Sequence, residues 1–140
     1  MDGLEYWDAG SEAYEGLLAT KQVVRQPGLP DHLLELVYLH VSQINGCAYC
    51  IALHGSAVKE AGILEEQVAN LNDWRKDHKF GEIERLALAW AEAVTELKET
   101  AEIKGQLASM FSPRQIVDLT VAVGVMNALN RVAISLGRSA

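Results

Sequence analysis

The chain has 140 residues, 49% of them hydrophobic and 22% charged, which is the composition of one globular domain with a core of its own. Twelve Lys and Arg against 19 Asp and Glu give a formal net charge of −7, and no basic stripe offsets it, so we expect no nucleic-acid partner. Residues 1–14 have neither the basic segment nor the apolar run of a secretory signal, which predicts a cytoplasmic protein.

The predicted elements are helices throughout. Apolar residues recur every three or four positions and no long stretch alternates with period two, which predicts an all-α bundle of about six to seven helices. Residues 26–31, with two prolines and a glycine, end the first helix and start the second, with Pro30 in its first turn. The second helix stops at Asn45 and Gly46. The third begins at or just after Cys47 and ends at Gly62, a residue suited to a left-handed cap.

In the second half of the chain we predict a short helix over about residues 64–72 and a polar connection over residues 73–81. A helix over residues 82–97 follows, with Leu97 on its apolar side, and then a short helix around Leu107.

A capping box opens the last predicted helix. Ser112 stands at the cap, Pro113 in the first turn and Gln115 three residues after the cap, and the helix runs to about Gly137. Polar residues interrupt its apolar stretch, so we expect a buried core helix and no membrane span. No linker divides the chain, which predicts a single domain over residues 1–140 with its core in about residues 30–135.

Cys47, Cys50 and His54 are the candidate reactive residues. A thiol is a weak nucleophile until it is ionised, and both sulfurs lie at the start of a predicted helix, where unpaired N–H groups and the helix dipole favour a thiolate. His54 follows Cys50 by four residues and so shares its helix face, where it could take the thiol proton.

Two other interpretations of these three residues remain open. They could simply fill space in the core, although the C-x2-C spacing with a histidine four residues later makes this the weaker reading. The same spacing also suits zinc, which needs a fourth ligand in a structural site. His40 is the nearest spare imidazole, but nothing in the spacing brings it to the cysteines.

Glu35 favours the catalytic interpretation. It stands among leucines and a valine in the helix that leads into the cysteine pair, and a carboxylate near an apolar face is costly to bury without a partner. His54, on the helix that packs back, could be that partner, and Glu35 would then orient the imidazole. A solvated glutamate at the edge of the apolar stripe is the alternative.

Glu35, Cys47, Cys50 and His54 together resemble the Glu-Cys-Cys-His signature of the alkylhydroperoxidase D-like (AhpD-like) proteins, within the carboxymuconolactone decarboxylase superfamily. The resemblance extends over about residues 30–135 through the segments LVYLHVSQINGCAYCIALH, LNDWR, ERLALAWAEAVT and FSPRQIVDLTVAVGVMNALNRVAIS. It implies an all-helical fold that assembles into homotrimers or homohexamers.

The resemblance also implies a thiol-dependent peroxidase or disulfide oxidoreductase that reduces alkyl hydroperoxides. Carried over, the proton relay runs from Glu35 to His54 to Cys50, and Cys47 resolves the sulfenic acid as a disulfide, although the two sulfurs could exchange roles. No bound cofactor or metal is implied. The implied electron donor is a dihydrolipoyl group, and the implied protein partners are a lipoyl-bearing protein or a peroxiredoxin.

The sequence departs from the best-known members at one position of the motif. Those proteins have a second histidine immediately before the second cysteine, where this chain has Tyr49, and tyrosine, with a pKa of about 10, is no base near neutral pH. The superfamily's lactone decarboxylase chemistry is a further alternative, which the C-x2-C motif disfavours. Asn130 and Arg131, polar in an apolar helix, are weaker candidates for groups that fix Glu35 or a substrate carboxylate.

Overall fold

A computed structural model describes residues 5–25 and 28–140. Within these residues the chain forms seven α-helices, two short 3₁₀ helices at Tyr6–Asp8 and Leu71–Lys76, and no strand, which confirms the all-α prediction. The α-helices in chain order are α1 (Glu12–Val23), α2 (Asp31–Asn45), α3 (Ala48–Glu60), α4 (Glu65–Ala69), α5 (Glu82–Glu96), α6 (Ala101–Ala108) and α7 (Pro113–Ser135).

The predicted break between the first two helices lies between Val23 and Asp31, and Gln26 and Pro27 within it are outside the described residues. Pro30 is the cap that precedes α2, one position earlier than the predicted first turn. Its backbone is extended, with φ of −64° and ψ of 141°, and α2 begins at the next residue, Asp31. At this cap position the missing proline N–H costs no helical hydrogen bond.

Helix α2 is the centre of the bundle. Every residue from Leu33 to Ser42 is buried, because α3, α5 and α7 pack around this helix. A helix that is covered on all sides must be apolar all round, apart from polar groups that find partners. The buried polar residues of α2 are therefore the ones whose contacts matter most: Glu35, His40 and Ser42.

The turn between α2 and α3 places the cysteine pair. Gly46 adopts the left-handed conformation, with φ of +70°, and ends α2 as predicted. Cys47 follows as the cap of α3, and its sulfur accepts the Cys50 backbone N–H at 3.4 Å. Because the left-handed glycine reverses the chain direction here, α3 packs back against α2.

The structure corrects two predictions in the second half. The predicted connection over residues 73–81 is partly helical, because the 3₁₀ helix Leu71–Lys76 extends into it and buries Trp74. Leu97 lies beyond α5, in the left-handed conformation and 90% exposed, where it was expected on the apolar side. This conformation lets the Lys98 backbone N–H reach the Ala93 carbonyl and close the helix end.

Helix α7 opens with the predicted capping box. The Ser112 hydroxyl accepts the Gln115 backbone N–H at 3.1 Å, and the Gln115 side chain accepts the Ser112 N–H at 2.8 Å. By length and composition alone, with a mean hydropathy of 1.4, α7 could cross a membrane, whereas the sequence analysis predicts a core helix and no membrane span. This evidence is weak, since the core helix of a soluble fold passes the same test, and α7 buries one side in this bundle.

Two glycines offer a matched test of the fold. Alanine at Gly46 would have to adopt φ of +70°, and we expect Gly46→Ala to lower the free energy of unfolding by about 1–2 kcal/mol. Gly124 is a helical residue whose added Cβ would meet no atom within 4 Å, so Gly124→Ala should raise it by up to about 1 kcal/mol. Urea unfolding of both variants measures these changes. Destabilisation by Gly124→Ala would show instead that another subunit packs closely against α7.

Candidate active site

Cys47 and Cys50 are joined in a disulfide at the start of α3, with their Cα atoms 5.3 Å apart. Cys47 is 1% exposed and Cys50 4% exposed. The helix start explains the position of both sulfurs, because the cap and the first turn of α3 surround unpaired backbone N–H groups. On reduction, the same N–H groups favour an anionic sulfur over a neutral one.

Glu35 and His54 are in direct contact between α2 and α3. The Glu35 Oε2 lies 2.7 Å from the His54 Nδ1, and both residues are buried, at 6% and 2% exposure. A carboxylate in this position accepts the Nδ1–H, which leaves the lone pair of a neutral imidazole on Nε2. The contact that the sequence suggested for Glu35 is therefore present, and it fixes the tautomer that a proton-accepting histidine needs.

Burial is the largest influence on His54 and lowers its pKa below the ordinary value of 6.5. The hydrogen bond to Glu35 opposes this shift, and the nearby cations Lys21 and Arg25 add to it. The imidazole is therefore neutral at pH 7, with its lone pair on Nε2. Since the unfolded chain binds this proton more readily, His54 makes folding less favourable as the pH falls below 6.5.

Two basic residues, Lys21 in α1 and Arg25 just after its end, complete the surroundings of this pair, and the sequence analysis missed both. The Lys21 Nζ lies 3.4 Å from the His54 Nε2, on the side away from Glu35. The Arg25 Nη1 lies 3.9 Å from the Glu35 Oε1, and its guanidinium also contacts Asp31 at 3.2 Å. Their spacing of four residues was the only available signal, and basic residues at this spacing are common on solvated helices.

A cavity of about 70 Å³ adjoins the site. Cys50, His54 and Lys21 lie on its wall, whereas Cys47 does not. The remaining lining residues are aromatic or aliphatic: Tyr6, Tyr14, Leu18, Tyr49, Leu53, Met126, Leu129 and Ala133. Cys50 is therefore the sulfur that faces a small, mainly apolar space with a histidine and a lysine on its wall.

Tyr49, which stands where the best-known AhpD-like proteins have a second histidine, has a packing role. Its ring lies 3.6 Å from the Arg138 guanidinium carbon, which also stacks on Trp7 at 3.9 Å. The two ends of the described chain thus meet over the cysteine pair. An arginine between aromatic rings is held by cation–π attraction, which keeps this wall of the cavity in place.

His40 belongs to a separate buried cluster. Its Nε2 lies 2.9 Å from Glu92 Oε1, which also accepts hydrogen bonds from Trp74 and Arg75. Burial raises the pKa of Glu92, but these hydrogen bonds outweigh it and hold the pKa below its ordinary value. Among residues 5–25 and 28–140 no group of three or more His, Cys, Asp and Glu is arranged to hold a metal ion.

Asn130 and Arg131, the two weaker candidates on α7, make their hydrogen bonds to residues other than Glu35. Asn130 is fully buried and donates to Ser42 Oγ at 3.1 Å, while its Oδ1 accepts from Asn45 at 3.0 Å. Arg131 donates to the carbonyl and side chain of Asn127 within its own helix. Asn130 therefore fastens α7 to the end of α2 directly before the Gly46 turn, which supports the site from outside.

The fold and this site are those of a known class of protein. The sequence profile of the carboxymuconolactone decarboxylase family matches residues 11–93, more than half of the chain, and the chain belongs to that family. The match includes all four residues of the Glu-Cys-Cys-His signature.

Individual relatives refine this assignment. YdfG, an uncharacterised protein of Bacillus subtilis (strain 168), is 26% identical over 98% of this chain and 95% of its own. A crystal structure from Agrobacterium tumefaciens, of a protein of unknown function provisionally assigned as the antioxidant defence protein AhpD, superposes with a TM-score of 0.89. It is 32% identical and covers 98% of this chain and 97% of its own.

Proteins named AhpD are similar over shorter segments. The alkyl hydroperoxide reductase AhpD of Azorhizobium caulinodans is 40% identical over 62 residues, which are 43% of this chain and 34% of that protein. Taken with the Agrobacterium structure, this confirms that the chain is an AhpD-like member of the carboxymuconolactone decarboxylase superfamily.

The protonation of His54 can be measured directly. In a ¹H–¹³C NMR titration of the imidazole groups, we expect the His54 resonance, identified by its loss in His54→Gln, to titrate below pH 6.5 because burial disfavours the imidazolium. Glu35→Gln should lower this midpoint further, since the carboxylate favours the charged ring, whereas Glu15→Gln on the exposed side of α1 should leave it unchanged. A His54 midpoint above 6.5 would contradict this lowering by burial, and one well above 7 would make the ring an imidazolium that cannot act as a base at neutral pH.

Proposed function

We propose that this protein is a thiol-dependent peroxidase and disulfide oxidoreductase that reduces alkyl hydroperoxides through Cys47 and Cys50. The observation that carries the proposal is the 2.7 Å contact between Glu35 and His54, together with the shared position of His54 and Cys50 on the wall of one cavity. A nucleophile, a base and a group that orients the base is the arrangement that activates thiols in other enzymes.

The reaction begins from the reduced cysteine pair. His54 Nε2 accepts the proton of the Cys50 thiol, and Glu35 stabilises the imidazolium that forms. The thiolate attacks the terminal oxygen of the hydroperoxide, the O–O bond breaks, and the departing alkoxide takes the proton from His54 and leaves as an alcohol. Cys50 is now a sulfenic acid.

Cys47 completes the turnover. Its sulfur attacks the Cys50 sulfur, the S–O bond breaks with release of water, and the disulfide seen in the structure forms. A dithiol donor then supplies two electrons and two protons by thiol–disulfide exchange. We propose a dihydrolipoyl group on a lipoyl-bearing protein for this role, and a peroxiredoxin as an acceptor of electrons from the reduced cysteine pair.

The cavity suits an organic hydroperoxide. At about 70 Å³ it has room for about two water molecules, which is also the room that the two oxygens of a hydroperoxide need. Leu18 and Leu53 line it and are 39% and 45% exposed, so they offer an apolar surface for the alkyl part at the mouth. We further propose a cytoplasmic homotrimer or homohexamer without a bound cofactor.

The first test is the rate at which fully reduced, metal-free protein forms the Cys47–Cys50 disulfide after addition of an organic hydroperoxide, followed by mass and free-thiol count. We expect a rate far above that of free cysteine. His54→Ala should lower the rate by about 100-fold or more, because the base is lost, and Glu35→Gln by at least about tenfold.

Matched substitutions at exposed positions, His32→Ala and Glu15→Gln, should leave the rate unchanged. A rate for the unaltered protein no greater than that of free cysteine contradicts the peroxidase assignment. So does stoichiometric zinc bound through both sulfurs in protein purified without chelator, which would favour the metal-binding alternative.

The roles of the two sulfurs give a separate prediction. Because Cys50 lies on the cavity wall and Cys47 does not, Cys47→Ser should still react with hydroperoxide and accumulate a sulfenic acid at Cys50. Cys50→Ser should react no faster than free cysteine. Trapping with dimedone followed by peptide mass spectrometry distinguishes the two variants, and an adduct on Cys47 alone would reverse the assignment.

A further inference from the structure

Lys21 is an ammonium with no anionic partner in the part of the chain that the structure describes. It is half-buried on α1, and among the described residues no carboxylate oxygen lies within 4 Å of its Nζ. Its contacts are the His54 Nε2 at 3.4 Å and the face of the Tyr38 ring, whose centroid is 5.0 Å away. Burial lowers the pKa of Lys21, the charge of Glu35 opposes that shift, and the charge of Arg25 adds to it.

The cavity supplies the anion that this ammonium lacks. Lys21 and Cys50 lie on the wall of the same space of about 70 Å³, so a negative charge on the Cys50 sulfur would attract the ammonium across a small, mainly apolar cavity. In the disulfide that the structure contains, the Cys50 sulfur is neutral. The Cys50 thiolate formed after reduction is the anion that would pair with Lys21.

We propose that Lys21 is a positioning residue of the thiol chemistry, which contacts His54 Nε2 while the disulfide is intact and becomes the counter-ion of the Cys50 thiolate after reduction. This inference rests on the proposed function, since it assumes that Cys50 reacts as a thiolate. Reduction by a dithiol adds two electrons and two protons to the disulfide, and the Cys50 proton passes to His54 as the ammonium turns to the sulfur.

Lys21 and the Cys50 proton compete for the same nitrogen, the Nε2 of His54. The ammonium occupies the lone pair that must accept the Cys50 proton, and its charge disfavours an imidazolium at the same place. Nε2 is therefore available as a base only when Lys21 moves to another anion. The thiolate is that anion, so proton transfer and the movement of Lys21 favour each other.

Several other charged or titratable groups face Lys21, and each element that packs here contributes. They are Tyr14 from α1, Arg25 just after α1, Glu35 and Tyr38 from α2, Tyr49, Cys50 and His54 from α3, and Tyr6 before α1. Arg138, beyond α7, stacks on Tyr49 behind this wall. Arg25 already contacts Glu35 and Asp31, and Arg138 is held between aromatic rings. Lys21 is thus the cation on the cavity wall that can form an ion pair with a Cys50 thiolate.

The experiment measures the alkylation of Cys50 by iodoacetamide from pH 5 to 10. It uses reduced protein in a Cys47→Ser background, where Cys50 is the only thiol of the chain. Lys21→Met removes the charge and keeps an aliphatic stem over Tyr38. We expect the midpoint of its pH profile about one unit above that of the reference, with alkylation at pH 7 about three- to tenfold slower.

Two further variants separate a charge effect from a structural one. Lys21→Arg keeps the cation and should return the midpoint most of the way to the reference. Lys59→Met removes the same charge from an exposed position at the end of α3 and should leave the midpoint unchanged. Equal upward shifts in Lys21→Met and Lys21→Arg would indicate only the packing of α1 and would overturn the proposal.

The remaining outcomes distinguish this inference from the proposed function. A reference midpoint near 8.5, the value of an ordinary cysteine, overturns both, because Cys50 is then not activated at all. A clearly lower reference midpoint that Lys21→Met shares overturns the role of Lys21 alone and leaves the activation of Cys50 intact.

Discussion

The hydrogen bond between Glu35 and His54 is the interaction on which the rest of the site depends. Glu35 stands in the most buried helix of the bundle, where an unpaired carboxylate would cost several kcal/mol. The hydrogen-bond partner of this carboxylate is an imidazole from α3. The single contact therefore offsets the cost of burying the charge and also fixes how α3 packs against α2. The same contact leaves the second nitrogen of the ring for chemistry.

Much of this arrangement follows from local rules. Gly46 ends α2 because only glycine enters the left-handed region without strain, and the next residue is therefore a helix cap. Helical spacing then places His54 on the face of Cys50, and a glutamate among leucines needs a partner. Ser112 and Gln115 cap α7 for equally local reasons. For these residues the sequence pattern and the structure agree.

Other features depend on distant parts of the chain. Lys21 and Arg25 look like solvated residues of an amphipathic helix until α1 is placed against α2 and α3. Trp74, in a segment that looks polar in sequence, packs into an apolar cluster with residues of α2 and α5 and donates its indole N–H to Glu92, eighteen residues away. Leu97 leaves the apolar face of α5 because a backbone hydrogen bond closes the helix before it. Sequence spacing alone carries no information on these contacts.

The site is divided between the segment that the family profile matches and the segments outside that match. The profile match over residues 11–93 includes α1, α2 and α3, which supply the cysteines, their base and the neighbouring cations. Part of the cavity wall lies outside it, since Tyr6 precedes the match and Met126, Leu129 and Ala133 follow it on α7. The proposed site is therefore assembled from distant parts of the chain: the cysteines and the histidine come from the matched segment, and α7 and the segment before α1 supply part of the apolar wall. The cavity exists only when α7 packs against α1, α2 and α3, so the site depends on the whole bundle.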